Sequence, residues 1–187
     1  MAGIALFAPD WQIYNMAEEI LKQGTGHVKV LKRIEDGEEA VLEARNAVSE
    51  GVSIIIARGQ QAEVIRRYTN ISVVDIALTA QEVGLLIQKL RKKIGKTRPK
   101  IGLVGHAATF WDITHLGELL DVDVSLYPQD GKNDFQQVEQ AIADGADGII
   151  GGFNILNYLK NGNVATEYFA STEESVRNAI TQAEAMY

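Results

Sequence analysis

The sequence predicts an α/β protein of two tandem, duplicated lobes, each a parallel sheet with helices on both faces. Three observations predict it. Short apolar runs alternate with amphipathic stretches along the whole chain, and the second half repeats the plan of the first. Two stretches also align without a gap: EGVSIIIARGQ (Glu50–Gln60) lies over DGADGIIGGFN (Asp144–Asn154). Alternation of strand and helix implies parallel pairing, because a helical crossover returns the chain to the same end of the sheet.

In the first half, Ile4–Ala8 is a compact apolar run stopped by Pro9 and Asp10, hence a buried strand. From Trp11 the positions Trp11, Tyr14, Ile20 and Leu21 form a helical stripe that Gly24 and Gly26 end. Val28–Leu31 is the second strand. Glu38–Glu50 is a helix with Val41, Ala44 and Val48 on one face and Gly51 at its cap. The β-branched run Val52–Ala57 is the third strand, Gln61–Tyr68 a short helix, and Ser72–Ala77 the fourth strand. In the second half the strands are Lys100–Val104, Asp123–Tyr127, Gly148–Ile150 and Ala165–Ala170. The helices between them are Thr109–Leu120, Asp134–Ala143 (Val138, Ala141 and Ile142 inward) and Ile155–Lys160. The halves are offset by 97 residues at Ile4 and Ile101 and by 94 at the third strands, as small loop deletions after a duplication would leave them. The first lobe is expected to hold residues 1–80 with a final helix, 172–187, packed back on it. The second holds residues 81–171.

Ligands of open α/β sheets bind beyond the carboxyl ends of the strands, and a cleft between lobes is a favoured pocket. The residues to inspect are therefore those that follow each strand. After the first strands stand Pro9-Asp10-Trp11 and Gly105-His106-Ala107-Ala108-Thr109. After the third stand Arg58-Gly59-Gln60-Gln61 and Gly151-Gly152-Phe153-Asn154. After the fourth, Thr79-Ala80-Gln81-Glu82 and Ser171-Thr172-Glu173-Glu174 both fit a capping box. Each box would open a long helix, Gln81–Lys93 with Val83, Leu86 and Leu90 inward and Thr172–Met186 with Val176, Ala179 and Ile180 inward. Either box is pure capping, or the paired helix N-termini attract an anion. Arg58 suits a carboxylate or phosphate by its fork geometry, or else pairs on the surface with Glu63 or Glu82. Gly59, Gly151 and Gly152 permit close backbone approach to a ligand or simply tight turns. His106 is placed to donate a hydrogen bond or is structural.

Composition narrows the function classes. Of 187 residues, 46 % are apolar and 23 % charged, the mix of a globular chain with a core. The net charge of −7 disfavours nucleic acid unless basic residues gather. Seven do, between Lys89 and Lys100, read as the basic end of a helix and a solvated linker or as a surface for DNA contact or partner docking. The chain has no cysteine, which fits a reducing cytosol and removes thiolate metal sites and cysteine nucleophiles. No apolar run approaches the roughly 20 residues a membrane span needs, and the N-terminus has no secretory pattern. A cytoplasmic protein without membrane contact is expected. His27, His106 and His115 are the only histidines, and no Walker loop or nucleophile–base pair stands out. No catalytic residue, metal site or cofactor is therefore expected.

The string SIIIARGQQAEVIRR and the strand VVDIALTAQEV resemble the N-terminal receptor domain of the propionate-catabolism regulators, members of the NtrC-like, sigma-54-dependent activators. KIGLVGH, DGADGIIGG and EYFASTEESVRNAI continue the resemblance over nearly the whole chain. That family carries Ser/Thr-Gly-Tyr-Asp at its crossing helix. Here Thr79-Ala80-Gln81-Glu82 keeps the hydroxyl and the acid but not Gly-Tyr. The resemblance implies a chelatase-like, periplasmic-binding-protein-like bilobal fold that senses a metabolite in the inter-lobe cleft. The implied effector is an anionic carboxylate of the 2-methylcitrate kind. The implied partners are an ATPase domain and a helix-turn-helix domain in the same full-length protein; direct contact with nucleic acid is not implied, and a homodimer is compatible. The expected ligand set is Arg58, Gly59, Gln60, Thr79, His106, Thr109, Gly152, Phe153, Asn154 and Ser171. Two other readings stay open: a tetrapyrrole metallochelatase using His106, and an interaction domain without a ligand. An Asp/Glu racemase is excluded, because it needs a cysteine on each side.

Overall fold

The computed structural model of the chain describes residues 3–24, 26–110, 112–131, 134–160 and 162–187. It falls into two units, Met1–Ala77 with Ser171–Tyr187 and Leu78–Ala170, so Thr79 stands in unit 2 and Ser171 in unit 1.

Unit 1 contains β1 (Gly3–Ala8), α1 (Trp11–Lys22), β2 (Val28–Arg33), α2 (Gly37–Ser49), β3 (Val52–Ala57), α3 (Gly59–Tyr68) and β4 (Ser72–Asp75). Its strands are parallel in the order β2-β1-β3-β4. Side chains alternate across the sheet. Ile4, Leu6, Ile54 and Ile56 pack with Ile13, Ala17 and Ile20 of α1 on one face. Ala5, Phe7, Ile55 and Ala57 pack with Ala40, Ala44 and Ala47 of α2 and Ala62 and Ile65 of α3 on the other. The first face is completed by the last helix of the chain, α8 (Glu173–Met186), through Val176, Ala179, Ile180 and Ala183.

Unit 2 repeats this plan with α4 (Ala80–Ile94), β5 (Lys100–Gly105), α5 (Leu116–Leu120), β6 (Asp123–Pro128), α6 (Asp134–Ala143), β7 (Gly148–Gly151), α7 (Phe153–Leu159) and β8 (Ala165–Tyr168). The strand order is β6-β5-β7-β8, all parallel. Val83, Ile87 and Leu90 of α4 and Leu116 of α5 cover one face, and Val138, Ala141, Ile155 and Leu159 the other. Each unit is thus a three-layer α/β/α sandwich, the two-lobe α/β architecture that the alternation predicts.

Three sequence expectations need correction. The helix expected over Thr109–Leu120 is a 3-10 turn, Ala107–Thr109, followed later by the five-residue α5; position 111 lies outside the described residues. The spacing of Phe110, Ile113, Leu116 and Leu120 imitates a helix. The backbone at Phe110 instead pairs with Leu78, whose N–H donates to the Thr109 carbonyl at 2.7 Å. The inward faces of α1 and α2 are built from smaller residues than expected: Trp11 and Val48 are exposed, as is Ile142 in α6. Alanines let these helices sit close on the sheet. Finally, the second capping box is shifted by one residue. Thr172 is the N-cap of α8, and its N–H donates to Ser175 Oγ at 3.0 Å.

Candidate functional site

The strand order fixes where a ligand can lie. In unit 1, β1 feeds α1 on one face and β3 feeds α3 on the other, so the two connections leave the carboxyl edge in opposite directions. The crevice opens between the ends of these neighbouring strands. β5 and β7 form the same switch point in unit 2.

At the unit 1 switch point Asp10 is committed to capping, its Oδ1 accepting from Ile13 N–H at 2.8 Å. Trp11 is 59 % exposed, and the Arg33 guanidinium from the end of β2 sits 4.9 Å from its ring centroid. This is a cation–π contact on an open aromatic face. Arg58 is the N-cap residue of α3, and its side chain does not cap the helix. A guanidinium carries no acceptor, so residue 58 cannot cap, and the positive end of the α3 dipole lies at the carboxyl edge of the sheet without a cap from it. Gly59 holds φ at 54°, a left-handed conformation that an L side chain would strain, so the turn that brings the helix start to the strand end needs glycine. Gln60 is exposed. Gln61, 7 % exposed, reaches across the end of β1 to donate from Nε2 to the Ile34 carbonyl at 2.8 Å, while its buried Oε1 has no partner among the described residues. A buried amide oxygen without a donor is costly, and a ligand donor would relieve it.

The unit 2 switch point is furnished differently. Rings of Phe110 and Phe169 meet edge-on at 5.4 Å, and a Cβ on Gly105 would lie 3.1 Å from Phe110 and 3.2 Å from Phe169. On Gly152 it would lie 3.6 Å from Phe169. These glycines make room for a side chain of their own unit. His106 is half-buried, Thr109 buried, and Phe153 and Asn154 exposed at the start of α7. Thr79 and Glu82 form the expected capping box: Glu82 Oε2 accepts from Thr79 N–H at 2.7 Å, and Thr79 Oγ1 from Glu82 N–H at 3.2 Å. Ser171 is 3 % exposed and its hydroxyl has no partner among the described residues.

The structure thus brings Arg58, Gly59 and Gln60 to one crevice, and His106, Gly152, Phe153 and Asn154 to the other. Trp11 and Gln61 stood among the residues after the strands, but the expected ligand set left out both, and Arg33 with them. The only sequence sign at Gln61 is weak: a polar residue where the aligned position of unit 2 is Ile155. Among the described residues no three acids or histidines cluster as a metal site. No helix there is long and apolar enough to cross a membrane.

The basic run is largely engaged within unit 2. Lys89 and Lys93 pair with Glu167, Lys93 at 2.6 Å, and Lys96 pairs with Asp147 at 2.9 Å. Arg91 donates to the Leu120 carbonyl at 2.7 Å, and Lys100 Nζ to that of Asp144 at 2.8 Å.

Comparison with known proteins matches residues 26–187 to a family described as propionate catabolism activator. Among solved structures, an NtrC family transcriptional regulator from Clostridium acetobutylicum is 16 % identical, with 97 % of this chain and 94 % of that one covered and a TM-score of 0.67. The ABC domain from Streptococcus pneumonia in complex with L-Trp is 11 % identical, with 99 % and 83 % covered and a TM-score of 0.56. A solute-binding protein of an ABC transporter from Agrobacterium vitis, with bound allitol, is 12 % identical, with 99 % and 89 % covered and a TM-score of 0.48. The first two share the fold with this chain. No curated protein sequence matches it.

Proposed function

The chain belongs to the propionate catabolism activator family, and from that premise we propose that it is the effector-sensing part of a transcription activator and takes a small carboxylate at the carboxyl edges of its sheets. The observation that carries the reading is Arg58 at the unit 1 switch point, beside the α3 N-terminus that its side chain does not cap. A guanidinium fork and first-turn N–H groups together match a carboxylate better than either alone. A di- or tricarboxylate of the 2-methylcitrate kind would meet Arg58, Gly59, Gln60 and Ser171 from unit 1. In unit 2 the candidate contacts at its own carboxyl edge are Thr79, His106, Thr109, Gly152, Phe153 and Asn154. Binding would then let the ligand favour one conformation of the chain over another. It can do so only by its difference in affinity for the two. That bias, without catalysis in this chain, would control an adjoining ATPase and, through it, a DNA-binding domain in the cytoplasm.

The test is a thermal-shift and calorimetric screen of di- and tricarboxylates, including citrate and 2-methylcitrate. Ligand at one hundred times its dissociation constant adds about 2.7 kcal/mol of stability, a readily measured shift. The hit is expected to disappear in Arg58→Ala. Unchanged affinity in that variant would refute the role given to Arg58, and the absence of any carboxylate hit would refute the effector class.

A further inference from the structure

Helices α2 and α3 of unit 1 and α6 and α7 of unit 2 are duplicates that align without a gap. Ala44 pairs with Val138, Ala47 with Ala141 and Ile65 with Leu159, and all six are buried. At the outer surface the same alignment diverges. In unit 2, Phe135 of α6 stacks on Tyr158 of α7 with centroids 4.5 Å apart and planes 25° apart, and the Tyr158 hydroxyl donates to Glu139. In unit 1 the three matching positions are Val41, Val64 and Arg45. Where one unit has two rings and a hydrogen-bond acceptor, the other has two isopropyl groups and a cation.

The space is open in unit 1. A groove of about 470 Å³ runs between α2 and α3, lined by Val41, Val64, Arg45 and Tyr68 among others. That volume falls within the range of small-molecule sites. Its two ends differ in charge. Asp36 and Glu38 stand at the end near the start of α2, and Arg45 at the other. Arg45 is held there by a hydrogen bond from Nη2 to the Tyr68 carbonyl at 3.2 Å, which engages one of the five N–H donors of a guanidinium. Tyr68 adds an exposed aromatic wall that unit 2, with Gly162 at the aligned position, does not have.

We propose that this groove binds a small aromatic carboxylate. The ring lies between Val41 and Val64, where the duplicated helices of unit 2 carry their own rings, and the carboxylate lies on Arg45, in the place of the acidic acceptor Glu139. The acidic end sets the orientation, because a carboxylate pointed at Asp36 and Glu38 meets like charge. A para donor group suits that end, so 4-hydroxybenzoate is the natural probe and acetate the control without a ring. The site is centred on Arg45 rather than Arg58; Gln60 borders both, so the Arg45 and Arg58 variants are what tell the two sites apart.

The experiment is a titration of the whole chain with 4-hydroxybenzoate, followed by the methyl resonances of valine. Saturable shifts at Val41 and Val64 are expected, with none from acetate. Arg45→Gln is expected to weaken binding about tenfold, the effect of losing a charge-assisted hydrogen bond. Val41→Phe/Val64→Tyr, which copies the packing of unit 2, is expected to abolish binding with an unchanged circular dichroism spectrum. Should that pair fail to fold, Arg45→Glu, at an exposed side chain, must still lose the probe. Arg58→Ala is expected to leave this titration unchanged. Unshifted methyls at millimolar probe, or affinity undiminished in Arg45→Glu, would overturn the proposal. So would methyl shifts that follow protein concentration without probe, which would make a second copy of the chain the occupant.

Discussion

Glu167 offers a quantitative test of how unit 2 holds together. Its side chain is only 8 % exposed, at the β8 face against α4, and its carboxylate accepts from both Lys89 and Lys93. Burial pushes its pKa up, but the two ammonium groups outweigh this and hold it below the ordinary glutamate value. Glu167→Gln keeps the shape and removes the charge. Two charge-assisted hydrogen bonds would be worth about 1.5–3 kcal/mol each in a buried setting. The lysine side chains, however, are 64 % and 50 % exposed and return to water, which discounts both. The amide oxygen can still accept one bond, while its NH₂ faces ammonium donors. A net loss of about 2 kcal/mol at neutral pH follows, or roughly 4–8 °C in melting temperature for a chain of this size. The sign of the pH dependence is fixed by the lowered pKa. The stabilisation is complete above the unfolded glutamate value and is lost as pH falls through the lower, folded one. Melting curves of wild type and variant from pH 7 down to about pH 3 should therefore converge on the acid side. A gap that stays constant over that range, or that never exceeds about 0.5 kcal/mol, would refute this account of the lysine clamp.

Three further outcomes can be measured on the same apparatus. Thr79→Ala removes the N-cap hydroxyl of α4 and should cost about 1 kcal/mol, with the Glu82 bond to the Thr79 N–H retained. Gly117→Ala lies inside α5, where propensity alone would stabilise by about 1 kcal/mol; a Cβ there would stand 2.9 Å from the Val122 carbonyl oxygen, so net destabilisation is expected in urea melts. A fragment of residues 1–77 lacks α8, whose Val176, Ala179, Ile180 and Ala183 complete one face of the unit 1 sheet, and it should show no cooperative unfolding by circular dichroism.

Much of the fold is legible in the sequence because the signals are redundant. β3 is apolar apart from Ser53 and β7 reads Gly-Ile-Ile-Gly, and their gap-free alignment places the helices on either side of them. What could not be read has physical causes. Ala40, Ala44 and Ala47 carry little hydrophobic weight, so the larger Val41 and Val48 draw attention to the wrong face of α2. Phe110 has helical spacing to Ile113 and Leu116, but a backbone bond to the distant Leu78 draws it into a bridge. At the start of α8, Ser171 and Thr172 are adjacent hydroxyls, and pattern alone does not say which takes the cap. At the candidate site, Arg58 and Gly59 are conspicuous because they follow an apolar strand directly. Gln61 is not, because its meaning lies in a bond to Ile34 that crosses the end of β1.

The differences between the duplicated units are not scattered. At the switch points, unit 2 fills the strand ends with Phe110 and Phe169 over Gly105 and Gly152, while unit 1 has Arg58, a buried amide oxygen without a donor, and an exposed Trp11. On the outer layers, unit 2 carries the stacked, partly exposed rings of Phe135 and Tyr158, while unit 1 has an open groove beside Arg45. A shared frame with the same buried positions has therefore diverged twice in one direction, toward ring–ring contacts in unit 2 and toward open space beside an arginine in unit 1. Packing a ring against the protein's own neighbours secures dispersion and burial in every state of the chain. Leaving the matching space open forgoes that stability unless a ligand supplies it. At these two places the open space lies in unit 1, beside Arg58 and Arg45, and there a bound small molecule should add stability; unit 2 keeps a different opening, lined by Ile113, Gly117 and Val124 among others.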